Sequence, residues 1–175
     1  MNILDEFQRH WAAIPKSGLM PSLSDYLDRL NPRIQPWTII VDINEDAMPV
    51  RLCGTGIAEL LGNDFTGRDY LSALNPASRG NVLARDRACA THPCGLRLDL
   101  TASTITGRLF LDSVLALPVR RAHDAVCLVR VSSIEQTTDW RELPMSVLTY
   151  RSSQWIDIGA GIPAAPPWAD TNYRN

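Results

Sequence analysis

Leu96, Leu98 and Leu100 alternate with Arg97, Asp99 and Thr101, and beyond Thr106-Gly107-Arg108 the alternation resumes as Leu109, Leu111, Ser113, Leu115 and Leu117. A period of two is the mark of a strand with one face buried, so two such runs joined by a turn predict an antiparallel hairpin. The second run is expected to turn all five of those residues to the core, up to Pro118. A polar turn at His123-Asp124 then leads into a further strand at residues 125 to 132.

Upstream the pattern changes to helical spacing. Ile3, Leu4, Phe7, Trp11 and Ile14 recur on one helix face, with Asn2 placed to cap it, Asp5 and Glu6 complementing its dipole and Pro15 ending it. Ser22 and Asp25 make a capping box for a second helix over residues 23 to 30. Residues 37 to 43 and 50 to 53 read as a strand hairpin around the polar turn at Asn44 to Asp46. Thr55 is expected to cap a short helix ending at Gly62-Asn63, and Asn75-Pro76 to open a longer one running to about Ala90. Strands that come in hairpins, without sustained strand-helix-strand alternation, predict an α+β fold with one antiparallel sheet. Its five strands are residues 37 to 43, 50 to 53, 96 to 102, 108 to 117 and 125 to 132, with helices on one face.

A chain of 175 residues can bury a core without a disulfide or a metal. Seventeen basic residues against nineteen acidic ones give a net charge of -2, and Lys16 is the only lysine among scattered arginines. That balance argues against a nucleic-acid footprint or an anionic membrane surface. The longest uncharged stretch, residues 158 to 169, is broken by Pro163, Pro166 and Pro167 and falls short of the roughly 20 apolar residues of a spanning helix. With no secretory signal in the acidic N-terminus, a cytoplasmic location is expected, in which Cys53, Cys89, Cys94 and Cys127 are reduced.

The segment Val50-Arg51-Leu52-Cys53-Gly54-Thr55-Gly56-Ile57, then Gly62, then Thr66-Gly67-Arg68, resembles the motif run of a bacterial PAS family. Trp11, Met20-Pro21-Ser22 and the helix before the first strand resemble that family's lead-in. Gly107-Arg108, Ser113 and Leu117-Pro118 resemble its last hairpin. The resemblance covers about residues 7 to 133 and rests on structural glycines and hairpin residues, which speak for fold more than for ligand. It implies an N-terminal helical lead-in at 1–36, a PAS core at 37–133 and a C-terminal extension at 134–157, while the glycines, prolines and small residues from Ile158 onward read as a flexible tail at 158–175. It also implies a sensor or adaptor without an enzymatic output, since the remainder after Ser133 leaves no room for a kinase, cyclase or DNA-binding module.

Residue by residue, the chemistry points the same way. Gly54-Thr55-Gly56 sits where a dinucleotide fingerprint would, but Glu59 takes the place of its last glycine and an acid there opposes a pyrophosphate. Cys89, His92 and Cys94 lack the second ligand pair of a structural zinc, so no metal is expected. A photosensory flavin site would need a cysteine between Asp64 and Tyr70, and none is there. His10, His92 and His123 lie at ends or loops, out of reach of a haem pocket. Neither haem nor flavin is therefore expected, and no cofactor is named. Asp112 and Ser113 point to opposite faces of a strand and cannot share a proton relay. No G-x-S-x-G elbow occurs, and the chain is not expected to be an enzyme.

A ligand pocket is expected between sheet and helices, lined by Leu52, Ile57, Leu61, Tyr70, Leu71, Val82, Leu98, Leu111 and Ser113. Ser113 either bonds a neighbouring backbone group or offers one polar contact in an apolar site. Arg51 and Arg68 flank the helical side, solvated or meeting an anionic head group. The expected occupant is a small hydrophobic or amphipathic molecule. The function expected is a small-molecule-sensing regulatory module in bacterial signalling that acts through a protein partner; the alternative is a ligand-free interaction adaptor with a filled core. The apolar stripe of Ile3, Leu4, Phe7, Trp11 and Ile14 either pairs two copies into a homodimer, as PAS modules of this kind commonly do, or folds back on its own sheet.

Overall fold

The computed structural model describes residues 2–104, 109–135 and 145–164. The turn expected at Thr106-Gly107-Arg108, the side chain of Leu109, Trp140, and the tail from 165 onward with Trp168 lie outside the described residues. Helix α1 (Ile3–Ala13) is followed by a small hairpin of β1 (Lys16–Ser17) and β2 (Met20–Pro21) and by helix α2 (Leu23–Leu27). Strands β3 (Thr38–Asp42) and β4 (Val50–Cys53), helix α3 (Thr55–Leu61), two short 3-10 turns and helix α4 (Arg79–Thr91) come next. Strands β5 (Gly95–Thr104), β6 (Leu109–Arg120), β7 (Val126–Glu135) and β8 (Met145–Ile156) complete the chain. Six strands form one antiparallel sheet in the order β4-β3-β7-β6-β5-β8.

The sheet has one strand more than expected. β8 lies in the segment assigned to a C-terminal extension and pairs along β5 from Gly95↔Ile156 to Thr104↔Met145. Local chemistry explains the other boundaries. Asn2 Oδ1 accepts from the Leu4 N–H at 3.1 Å, and Ser22 Oγ accepts from the Asp25 N–H at 3.0 Å while donating to Asp25 Oδ2 at 2.6 Å. Gly54, and not Thr55, is the N-cap of α3, with no side-chain cap bond. A side chain at Gly54 would strike the carbonyl oxygen of Gln35 and lie 2.5 Å from that of Pro36, so the strand can enter the helix there only without a Cβ. Gly62 closes α3 in the left-handed conformation, at φ 68°.

Helices cover both faces of the sheet, not one. On the inner face α3, the 3-10 turns and α4 pack over Ile39, Val41, Leu96, Leu98, Leu100, Phe110, Val114 and Leu128. On the outer face α1 and α2 pack over Ile40, Leu115, Leu117, Val119, Val129 and Val131. Phe7 is 0% exposed, and Leu4, Trp11 and Ile14 are also buried within this chain. Phe7 meets the Tyr26 ring edge-on at 6.5 Å, and Trp11 Nε1 donates to the Pro118 carbonyl at 3.0 Å. The expectation that this stripe, with half-buried Ile3, forms a dimer helix is thus corrected. The stripe covers its own sheet because that sheet has a second apolar face to bury.

The phase expected for β6 is corrected as well. Even-numbered residues pair with even-numbered ones, Leu98 with Val114 and Leu100 with Asp112. Residues directly opposite each other share a face. The inner row of β6 is therefore Phe110, Asp112, Val114 and Ala116, while Leu111, Ser113, Leu115 and Leu117 face outward. Leu111 is 41% exposed. Among the described residues no helix is long and apolar enough to cross a membrane.

Candidate functional site

Charged residues stand on the inner face where an apolar core would be expected. Asp112 on β6 and Arg130 and Ser132 on β7 stand on this face, α4 contributes Arg85 and Asp86, and all five are buried. Strand pairing fixes their spacing, since Ala116↔Arg130 and Val114↔Ser132 put Arg130 and Ser132 two residues apart on one face, with Asp112 diagonal to Ser132. The Asp86 carboxylate pairs with the Arg130 guanidinium through Oδ2 and accepts from Arg85 Nε and Nη2 at 3.3 and 3.2 Å through Oδ1. Arg130 also lies over the Tyr70 ring, 4.6 Å from its centre. Two arginines and two aspartates balance each other, which is the condition for keeping such charge out of water.

Asp112 is held less completely. Ser132 Oγ donates to its Oδ2 at 3.1 Å, whereas its Oδ1 is buried with no hydrogen-bond partner among the described residues. Burial pushes its pKa up to about 6, against the lowering effects of the Ser132 hydrogen bond and the Arg130 charge. Burial also raises the Tyr70 phenol, which the Arg130 charge partly offsets.

These groups form one wall of a cavity of about 20 Å³. Ile39 and Val114 of the sheet, Ile57, Leu60 and Leu61 of α3, Phe65 of the following loop, and Tyr70 and Ala73 of a 3-10 turn supply the rest. That volume holds a group the size of one water. The loop carrying Phe65 is tied to β4 by Val50 N–H to Arg68 O and Gly67 N–H to Val50 O, each 2.8 Å.

Of the residues expected at the pocket, the structure brings Ile57, Leu61 and Tyr70 to the cavity wall. Leu71, Val82 and Leu98 are in the same inner core without lining the cavity. Leu52, opposite Ile40, packs with the outer cluster. Leu111 and Ser113 are on the outer face, where Ser113 Oγ and Ser152 Oγ donate to the two oxygens of Asp99 at 2.9 and 2.7 Å. Neither alternative for Ser113 matches that geometry. Arg51 does not flank the cavity but pairs with Asp42 at 2.8 Å, and Arg68 is exposed, its guanidinium 5.9 Å from the Phe65 ring centre. Asp112, Arg130 and Ser132 were not expected at the site. A carboxylate and a guanidinium amid leucines and valines on successive strands were the available signal, and the Leu row on the other face of β6 outweighed it.

No protein-family model matches the chain, and no curated protein matches it. Among solved structures it is similar to the dark-state aureochrome1 light-oxygen-voltage domain, at 18% identity over 70% of this chain and 86% of that one, with a TM-score of 0.46. It is similar to the Rhodobacter sphaeroides light-oxygen-voltage protein at 14% identity over 77% and 69%, with a TM-score of 0.47. A third is a light-oxygen-voltage domain studied with a flavin analogue, at 15% identity over 57% and 77%, with a TM-score of 0.44. The expectation that flavin is unlikely is corrected: these similarities are all to light-oxygen-voltage domains, one of them described with a flavin analogue.

Proposed function

We propose that this chain, whose fold is of the PAS type, is a sensory module that holds a small ligand between its sheet and its helices and passes the bound state to a protein partner. The observation that carries the reading is Asp112 Oδ1 on the cavity wall, buried and with no hydrogen-bond partner among the described residues. A buried acceptor without a donor costs stability, and a ligand N–H or O–H placed there would recover it. The wall around it is apolar with a few convergent polar groups, the composition of a small-molecule site.

The same strands offer an output. Arg130 faces the cavity, while its neighbours Val129 and Val131 pack in the outer cluster with Phe7 and Trp11 of α1. A ligand that draws on Asp112 or Arg130 competes with the Asp86 pair, and any shift of β7 bears directly on α1 and on the surface it offers a partner.

The small cavity favours a second reading, a ligand-free adaptor with a filled core. Mass spectrometry of the purified protein under native and denaturing conditions, with a visible spectrum to register flavin or haem, separates the two. A mass excess released on denaturation supports sensing. A native mass equal to that of the bare chain, from several preparations, supports the adaptor.

A further inference from the structure

Cys89 lies in the last turn of α4 and Cys94 immediately before β5, and both are 0% exposed. Their approach is close. The Cys89 thiol donates to the Cys94 carbonyl oxygen at 2.6 Å, and the Cys94 N–H donates to the Cys89 carbonyl at 3.4 Å. The remaining cysteines stand apart from each other, Cys53 packing on the inner cluster and Cys127 in the outer one. Among the described residues no group of three or more His, Cys, Asp or Glu side chains could hold a metal.

We propose that Cys89 and Cys94 are a redox-active dithiol, which a hydroperoxide oxidises to an intramolecular disulfide that ties the end of α4 to the start of β5. The neighbouring Cys89 side chain lowers the Cys94 pKa, while Cys94 and burial raise that of Cys89, so Cys94 is the sulfur that ionises first. Its thiolate attacks one peroxide oxygen; the S–O bond forms as the O–O bond breaks. The departing oxygen takes up a proton and leaves as water or an alcohol, and Cys94 becomes a sulfenic acid. Cys89 sulfur then attacks Cys94 sulfur, the S–S bond forms, the S–O bond breaks, and the hydroxide leaves as water with the Cys89 proton. Two electrons and two protons have passed from the thiols to the peroxide.

The bond would form one helical turn from Asp86, whose carboxylate holds Arg130 at the cavity wall. Oxidation would therefore fix the part of α4 that carries this ion pair. Because neither sulfur is exposed, the reaction proceeds through local opening of the 92–94 turn and is slower than that of an exposed thiol.

The test is hydrogen peroxide added to the folded full chain, followed by alkylation, tryptic digestion and mass analysis. Cleavage after Arg87 and Arg97 leaves both cysteines in one peptide. The expected result is that this peptide loses two hydrogens, resists alkylation and recovers both thiols with dithiothreitol. Cys53→Ser should leave the outcome unchanged, and Cys94→Ser should abolish the loss. The proposal is overturned if the wild-type peptide stays fully alkylatable while the fold is intact, or if the disulfide forms only after denaturant is added.

Discussion

Arg130 of β7 and Asp86 of α4 form an ion pair between sheet and helices with side chains only 3% and 0% exposed. Removing one partner of such a pair leaves the other charged in a place water does not reach. Asp86→Ala is expected to cost about 3 to 5 kcal/mol in urea or thermal unfolding. Arg51→Ala, which breaks an ion pair whose arginine is 38% exposed, should cost no more than about 1 kcal/mol. Equal costs would mean that the Asp86 site is as wet as the surface.

Asp112 makes stability fall as pH rises. Its folded pKa, about 6, lies above the ordinary 3.8, so between these values the folded state binds more protons than the unfolded one. The penalty is absent below about pH 4, grows as pH rises through the folded pKa and is complete above about pH 7, at roughly 3 kcal/mol. Asp112→Asn cannot ionise, so the difference in stability between variant and wild type should change in the variant's favour across that window. A difference that stays flat from pH 4 to 7 would place the carboxylate in water.

The phase of β6 is tested by two truncations. Phe110 is 2% exposed and packs in the inner cluster, so Phe110→Ala should cost about 3 to 5 kcal/mol, whereas Leu111→Ala, at 41% exposure, should cost under about 1 kcal/mol. The reverse order would restore the row of leucines to the core.

How far the sequence could be read depended on how many faces each strand buries. β5 alternates cleanly because Arg97 and Asp99 are exposed, and its inward Leu96, Leu98 and Leu100 were legible. β6 is covered on both sides, so Leu115 and Leu117 under α1 are as apolar as Phe110 and Val114 under the inner helices. Periodicity cannot rank two buried rows, and Asp112 made the true inner row look solvated. The α1 stripe was readable as a stripe, but its target depended on that same outer face. β8 was hidden because Ser152, Ser153 and Gln154 dilute its pattern at the sheet edge. The polar site was hidden for a related reason, since pairing across α4, β6 and β7 brings together residues far apart in sequence.

The placement of α1 predicts that Phe7→Ala destabilises the chain by about 3 to 5 kcal/mol and leaves its oligomeric state as it was. Light scattering beside a thermal melt reads both quantities. A loss of dimers with an unchanged melt would put the stripe on a partner.

If Asp112 Oδ1 awaits a donor from a bound small molecule, an experimental density map of the cavity in the purified protein will show it. Non-protein density is expected within hydrogen-bonding distance of that oxygen, bounded by Phe65, Tyr70 and Val114. Side chains closed around a single water, with no other density at the Asp112 carboxylate, would contradict it.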